Sequence, residues 1–238
     1  WIARGMSRES ITVVDTHIVQ EGVLHNINDV QHTPECIVLA VKPQSMDELL
    51  AQVVKKFGNA PLYVSIAAGK DLAYFAKHLG DAAVVRTMPN TPALIGKGIT
   101  ALCANSKTSE AQKTIATTLL EAAGETVWLS DESLMDAVTA VSGSGPAYVF
   151  LMLEALVAAG TAQGLPEDVS RQLATSTVAG SAALAASSDK ALAQLRADVT
   201  SKGGTTEAAL SVLMQNDALK QLFADAIAAA VKRGKELR

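Results

Sequence analysis

The chain has 238 residues, of which 49% are hydrophobic and 18% charged, and a net charge of −4. That length can bury a sizeable core and fits one or two domains. The basic residues are scattered and never interleaved with aromatics, which excludes a nucleic-acid footprint or strong attraction to an acidic membrane face, and leaves small polar or nucleotide-like molecules as the expected partners.

Trp1-Ile2-Ala3-Arg4-Gly5 lacks the basic-then-apolar order of a secretory signal. Both cysteines, Cys36 and Cys103, lie in apolar strand-like runs and are expected to be buried thiols of a reducing compartment. His17, His25, His32 and His78 are scattered, with no Cys or Glu at metal-ligand spacing, so surface imidazoles are expected and no metal site.

Strand-like runs follow at Ile11–Val14, Cys36–Val41, Leu62–Ile66, Ala83–Thr87, Ile99–Ala104 and Thr126–Leu129. Most are continuously apolar, as in strands covered on both faces. Ser45 and Glu48 form a potential capping box ahead of Met46, Leu49, Leu50, Val53, Val54 and Phe57 at helical spacing, with Gly58 as the stop. Asp71 and Thr108 are candidate caps of the next two helices, with Gly80 and Gly124 as terminators. This βαβα order predicts a doubly wound, mainly parallel sheet.

Such a sheet ordinarily opens with a strand and a G-x-G-x-x-G turn. Here the chain begins in what reads as a helix tail, so that strand and its glycines are expected to lie outside it. Between Val14 and Cys36 there is little helical pattern, although a parallel crossover normally contains a helix, so residues are expected to be missing near Thr16–Gln20.

From Ser130 the strand signals stop. Residues 131–140, 146–163, 167–187, 190–196, 206–215 and 218–235 read as helices rich in Ala and Leu. The boundaries expected are a dinucleotide-binding α/β domain over 1–129 and an all-α domain over 130–238. Pro146 suits a first helical turn and Gly164 a helix end. The apolar run 147–159 is too short to span a bilayer, for which roughly 20 residues are needed. Because its helix is apolar almost all round, a second subunit is expected to enclose it, giving an obligate dimer.

The stretch from Val199 to Leu210 places two glycines and several hydroxyls directly before a helix. The free amides and positive dipole end of such a helix suit a small anion, which glycines let approach closely. Taken alone, the same residues read more readily as Thr205 or Thr206 serving as an ordinary cap.

Taken in order, Val41-Lys42-Pro43-Gln44, Ser65-Ile66-Ala67-Ala68-Gly69, Arg86-Thr87-Met88-Pro89-Asn90-Thr91-Pro92, the segment Asp136–Tyr148 with Ser142-Gly143-Ser144-Gly145-Pro146, and the 199–210 loop resemble pyrroline-5-carboxylate reductase. The resemblance covers nearly the whole chain. It implies a Rossmann-like α/β domain and a helical dimerisation domain in a cytoplasmic enzyme. That enzyme would reduce the cyclic imine Δ1-pyrroline-5-carboxylate to L-proline with NADPH or NADH, the last step of proline synthesis.

It further implies that Ala40, Val41, Lys42 and Pro43 line the nicotinamide half of the cofactor, with Ile66, Ala67 and Ala68 in the next lining turn and Asn26 on the adenosine side. Met88 to Pro92 would shape the pocket above the nicotinamide. Ser201, Gly204, Thr205 and Thr206 would surround the substrate, its carboxylate on the amides of 204–206 and the Thr206 hydroxyl, the one candidate catalytic group, near the ring nitrogen. Asp189 matches an acidic position near the substrate and is also a candidate N-cap of 190–196. Two departures stand out: Asp198 occupies a position where relatives often carry a cofactor-contacting Asn, and Lys202 one where the family usually has Pro.

Asp15, at a strand end, could hold a ribose 2′-hydroxyl and favour NADH. One alternative is a dehydrogenase of the 3-hydroxyacid type, disfavoured because no Lys follows Ser142-Gly143-Ser144-Gly145 at helical reach. Another is a non-catalytic oligomeric ligand-binding module.

Overall fold

The computed structural model describes residues 1–237, which divide into two compact units, Trp1–Gly143 with the chain from Ala230 onward, and Ser144–Ala229.

The first unit is built on β3 (Cys36–Leu39), β4 (Leu62–Ser65), β5 (Val84–Met88), β6 (Gly98–Ala104) and β7 (Gly124–Trp128), in that order across one sheet. All neighbours are parallel except β5 and β6. That pair is antiparallel because only the short 3₁₀ turn Thr91–Ile95 separates the strands, too little chain for a crossover. Helices α1 (Met46–Phe57) and α2 (Leu72–Leu79) cover one face, where Met46, Leu50, Val53, Phe57, Phe75 and Leu79 pack with Leu39 and Tyr63. On the other face α3 (Glu110–Glu121) sets Ala116 and Leu120 against Leu62, Val64, Val85 and Leu102. Alternate residues of β4 thus enter opposite cores, which is why the strand reads as continuously apolar.

Two further strands, β1 (Val13–Val14) and β2 (Val23–Leu24), form a separate parallel pair, joined by residues 15–22 with no helix between them. The expected strand at Ile11–Val14 is thus shorter, and β2 has too few residues to carry a periodic signal.

Several caps differ from expectation. Ser45 makes no side-chain cap bond, because it lies in the 3₁₀ turn Pro43–Ser45 that runs straight into α1. Asp71 does cap α2 by accepting from Tyr74 N–H. The cap of α3 is Ser109, in a reciprocal capping box with Gln112. Thr108 instead donates to the Val84 carbonyl and to Asn105, tying the loop to β5. Gly124 is not a helix terminator but the first residue of β7. At φ +144° it lies so close to Gly98 that a Cβ would sit 1.9 Å from the Gly98 carbonyl oxygen.

After β7, a 3₁₀ turn (Glu132–Leu134), the short α4 (Met135–Val138) and a π turn (Thr139–Gly143) close the first unit. In the second unit, α5 (Gly145–Ala162) and α6 (Glu167–Ala186) pack as a pair, followed by α7 (Leu192–Asp198), α8 (Thr205–Leu213) and most of α9 (Ala218–Glu236). Pro146 lies in the first turn of α5, and Gly164 takes the left-handed conformation just past its end at φ +94°. Close packing of α5 on α6 depends on Gly160, where a Cβ would meet Ser170 Oγ at 2.3 Å.

Val149, Phe150, Leu151, Met152 and Leu156 of α5 and Leu173 and Leu184 of α6 are exposed. Because the π turn carries helical backbone up to α5, Glu132–Ala162 is long and apolar enough to cross a membrane by length and composition, which the 147–159 run alone was not.

Candidate functional site

Parallel strands β3, β4 and β5 end on the same sheet edge, and ligands of open α/β sheets bind outside such carboxyl ends. Three segments emerge there: Ala40–Pro43 after β3, Ile66–Gly69 after β4 and Pro89–Asn90 after β5. Ile66 N–H donates to the Leu39 carbonyl at 3.2 Å, and Ala67 N–H to Ser65 Oγ at 3.2 Å, which pins the first residues of the second segment. Gly69 has φ +77°, and a Cβ there would lie 3.3 Å from the Leu237 carbonyl oxygen, so the turn needs glycine for conformation and space.

Ala40, Lys42 and Ala68 are exposed at this edge, Val41, Pro43 and Ile66 half-buried, and Ala67 buried. Small and apolar groups with main-chain donors and acceptors fit the flat nicotinamide half of a dinucleotide, which needs apolar walls and close backbone approach. No G-x-G-x-x-G occurs in the sequence, so the fit concerns that half alone.

Thr87 Oγ1 donates to the Ser65 carbonyl at 2.9 Å, locking β5 to β4 just before the edge. Asn90 follows; its Oδ1 accepts from Ile99 N–H at 3.0 Å and its Nδ2 donates to Ser142 Oγ at 3.3 Å, joining the Met88–Pro92 segment to the π turn. A Cβ on Gly143 would lie 2.4 Å from Met88 Cε, so the end of the Met88 side chain packs directly against this glycine.

On the side of β2, Asn26 caps the 3₁₀ turn Ile27–Asp29 through its Oδ1, at 2.9 Å from Asn28 N. At the end of β1, Asp15 Oδ1 accepts from the amides of His17 and Ile18, and these bonds hold its carboxyl below the usual carboxylate range. Both side chains are thus partly committed to local turns.

In the second unit, the loop before α8 is shaped by its own backbone. Gly203 is left-handed at φ +72°, and a Cβ on Gly204 would come within 2.5 Å of Ser201 Oγ. Gly204, not a threonine, is the N-cap residue, and no side chain caps the helix from that position. The expectation of an ordinary Thr205 or Thr206 cap is therefore corrected: Thr205 is already the first helical residue, past the place from which a hydroxyl caps. Gly204 N–H is taken by the Ser201 carbonyl at 3.0 Å, and Gly203 N–H by Glu207 Oε2 at 2.7 Å. Among the described residues, no hydrogen bond takes the amides of Thr205 and Thr206, which stand at the positive end of the α8 dipole beside the exposed Lys202.

Asp189 is exposed and does not cap α7, whose N-cap is Ala191 without a side-chain bond. Its neighbour Ser188 accepts from Lys190 N–H instead. Asp198 accepts from Lys190 Nζ at 2.7 Å and from Gln194 Nε2 at 2.8 Å, and these two donors lower its pKa.

Among the described residues, no group of three or more His, Cys, Asp or Glu side chains could hold a metal ion. Cys103 is buried and Cys36 half-buried, and burial pushes the Cys36 thiol up to about 12. His17, His25 and His32 are exposed, whereas His78 is half-buried between Tyr74 and Asp47.

A family model for pyrroline-5-carboxylate reductase dimerisation matches residues 132–237. The chain is 40% identical to the pyrroline-5-carboxylate reductase of Synechocystis sp., over 96% of its own length and 88% of the relative's. This chain belongs to the pyrroline-5-carboxylate reductase family. To the family member of Pseudomonas aeruginosa it is 44% identical, over 85% of this chain and 74% of that one. Among solved structures of the family, the Coxiella burnetii protein superposes with a TM-score of 0.85 at 37% identity, covering 90% of this chain and 80% of that one. The Plasmodium falciparum protein, solved with NADP bound, superposes at 0.77 with 32% identity, over 86% and 77% of the two chains.

The family's arrangement of a Rossmann-like sheet with helices followed by a helical dimerisation region is the one this chain has. Sequence reasoning missed the role of Glu132, which joins β5 to the start of α2; its partners lie too far away in sequence for any local pattern to mark them.

Proposed function

We propose that this chain, as a pyrroline-5-carboxylate reductase, binds NADPH or NADH along the Ala40–Pro43 and Ile66–Ala68 segments and reduces the C=N bond of Δ1-pyrroline-5-carboxylate to give L-proline. The observation that carries the reading is the family membership itself, at 40% identity over 88% of a named reductase. When bound, the cofactor supplies a hydride to the imine carbon.

What this chain supplies is position. The amides of Thr205 and Thr206 receive the substrate carboxylate, with Lys202 and Ser201 at the rim and Gly204 admitting close approach. The Thr206 hydroxyl donates a hydrogen bond to the ring nitrogen as the amine develops, while water delivers the proton, so the nitrogen ends with one new N–H and the carbon with one new C–H. An imine is already a good electrophile, and orientation of two bound reactants supplies most of the acceleration, which is why the site needs no Cys or His nucleophile. Asn26 belongs to the adenosine end in this reading, and Asp189 and Asp198 to the rim of the substrate and cofactor sites.

The part over 1–129 is assigned to the cofactor and that over 130–238 to substrate binding and assembly, in a cytoplasmic homodimer that uses no nucleic acid and no membrane. The exposed apolar surface of α5 and α6 supports this assembly, because it lies within the segment matched by a dimerisation model. The same argument favours a protein partner over a bilayer for Glu132–Ala162. Expression in a bacterium that lacks its own reductase and requires proline should restore growth without proline. Failure of well-expressed, folded protein to do so would contradict the assignment.

A further inference from the structure

Arg86 lies on β5 with its side chain 4% exposed, and its Nη1 donates to Glu132 Oε1 at 2.7 Å. The same carboxylate oxygen accepts the Leu72 N–H at 2.8 Å. Leu72 is the first residue of α2, and its amide is one of those that a helix start leaves without an internal partner. Asp71 satisfies Tyr74 N–H, so the α2 start is held by two carboxylates, one local and one brought by a segment 60 residues away. A buried guanidinium demands such a partner, because an unpaired charge in the interior is strongly unfavourable.

The three segments joined here all lead to the proposed cofactor edge. Leu72 follows the Ile66–Gly69 turn. Arg86 precedes Met88, Pro89 and Asn90 on the same strand. Glu132 begins the helical stretch ending in the π turn, whose Ser142 is bonded to Asn90. A single carboxylate thus fixes the spacing of two nicotinamide-lining segments and the root of a third.

We infer that Glu132, with Arg86, is a positioning residue for the nicotinamide half of the cofactor. This rests on the reading of the Ile66–Ala68 and Met88–Pro92 segments given above. Neither side chain needs to touch the cofactor: the pair holds the α2 start against β5, and loss of either partner lets the Ile66–Gly69 turn drift from the strand edge.

The test is NADPH binding to the full chain, followed by cofactor fluorescence, with turnover measured alongside. Glu132→Ala should weaken NADPH binding and raise the KM for NADPH about tenfold, the equivalent of about 1.4 kcal/mol of binding free energy, while the KM for pyrroline-5-carboxylate changes little. Glu132→Gln, which keeps an acceptor for Leu72 N–H and Arg86, should recover most of the lost affinity. Ser109→Ala, which removes the α3 capping box elsewhere in the same unit, serves as a control that lowers stability without moving cofactor affinity. If folded Glu132→Ala binds NADPH as wild type and Ser109→Ala do, the inference is wrong. Should Glu132→Ala not fold, Glu132→Asp, one methylene too short to reach both Leu72 N–H and Arg86, decides: weaker NADPH binding than Ser109→Ala supports the inference, and equal binding overturns it. Absence of NADPH binding by the wild-type chain would contradict the functional reading itself, and this inference with it.

Discussion

At Thr206 two roles separate cleanly. An N-cap threonine is worth about 1 kcal/mol to its helix, but α8 is capped at Gly204 without a side chain, so the Thr206 hydroxyl has no such role. Thr206→Ala is therefore expected to leave the melting temperature nearly unchanged and to lower kcat/KM about a hundredfold, the usual scale for removing one donor aimed at developing charge. Steady-state kinetics and thermal denaturation of the same preparation check both halves. The thiols make a second prediction. Folding raises the Cys36 pKa from 9.0 to about 12 through burial. A group so raised contributes its stability fully below the unfolded value and loses it as pH rises through that window. Stability should thus decline between pH 9 and 12, less so in Cys36→Ala, and native protein at neutral pH should resist iodoacetamide until unfolded. The hydroxyls and glycines of the loop were legible in sequence because they are adjacent. The Glu132–Arg86 pair was not, since its members are 46 positions apart and only the fold joins them.

Among the elements, those with long apolar faces were the easiest to read. The spacing of Met46, Leu50, Val53 and Phe57 gives α1, and continuous runs give β3 to β6, because burial on two faces leaves no polar alternation. Caps were harder, since Thr108 and Ser109 are neighbouring hydroxyls with the same chemistry, and only backbone direction decides that Ser109 caps while Thr108 faces β5. Glycine was ambiguous for a similar reason. Gly124 sits where a helix could stop, yet its requirement comes from the approach of β6 and β7. Gly124→Ala is expected to cost more than about 3 kcal/mol, since it adds a backbone clash with Gly98 at a positive φ, whereas Ser109→Ala should cost about 1 kcal/mol. Urea denaturation of the two variants would show the difference. A smaller effect for Gly124→Ala than for Ser109→Ala would mean that the β6–β7 edge is free to shift.

For the whole molecule, the decisive sequence feature was a helix too apolar to face water. In the second unit Phe150 is 58% exposed and Leu151 65%, more than a lone soluble helix pair would leave open. The homodimer reading therefore predicts that Leu151→Asp yields a species of half the mass by light scattering, with reduced stability. An unchanged mass would place the interface elsewhere. That a Rossmann-like sheet is followed by a helical region could be read because βα alternation and an all-helical pattern differ in period, but the bond between Asn90 and the π turn could not, since π geometry has no sequence period of its own. The claim on which the rest depends is the reaction. Purified protein given Δ1-pyrroline-5-carboxylate and NADPH should form L-proline mole for mole with the NADPH oxidised, and NADPH consumption should stop when either is withheld. Folded protein that binds the cofactor yet produces no proline would contradict the account.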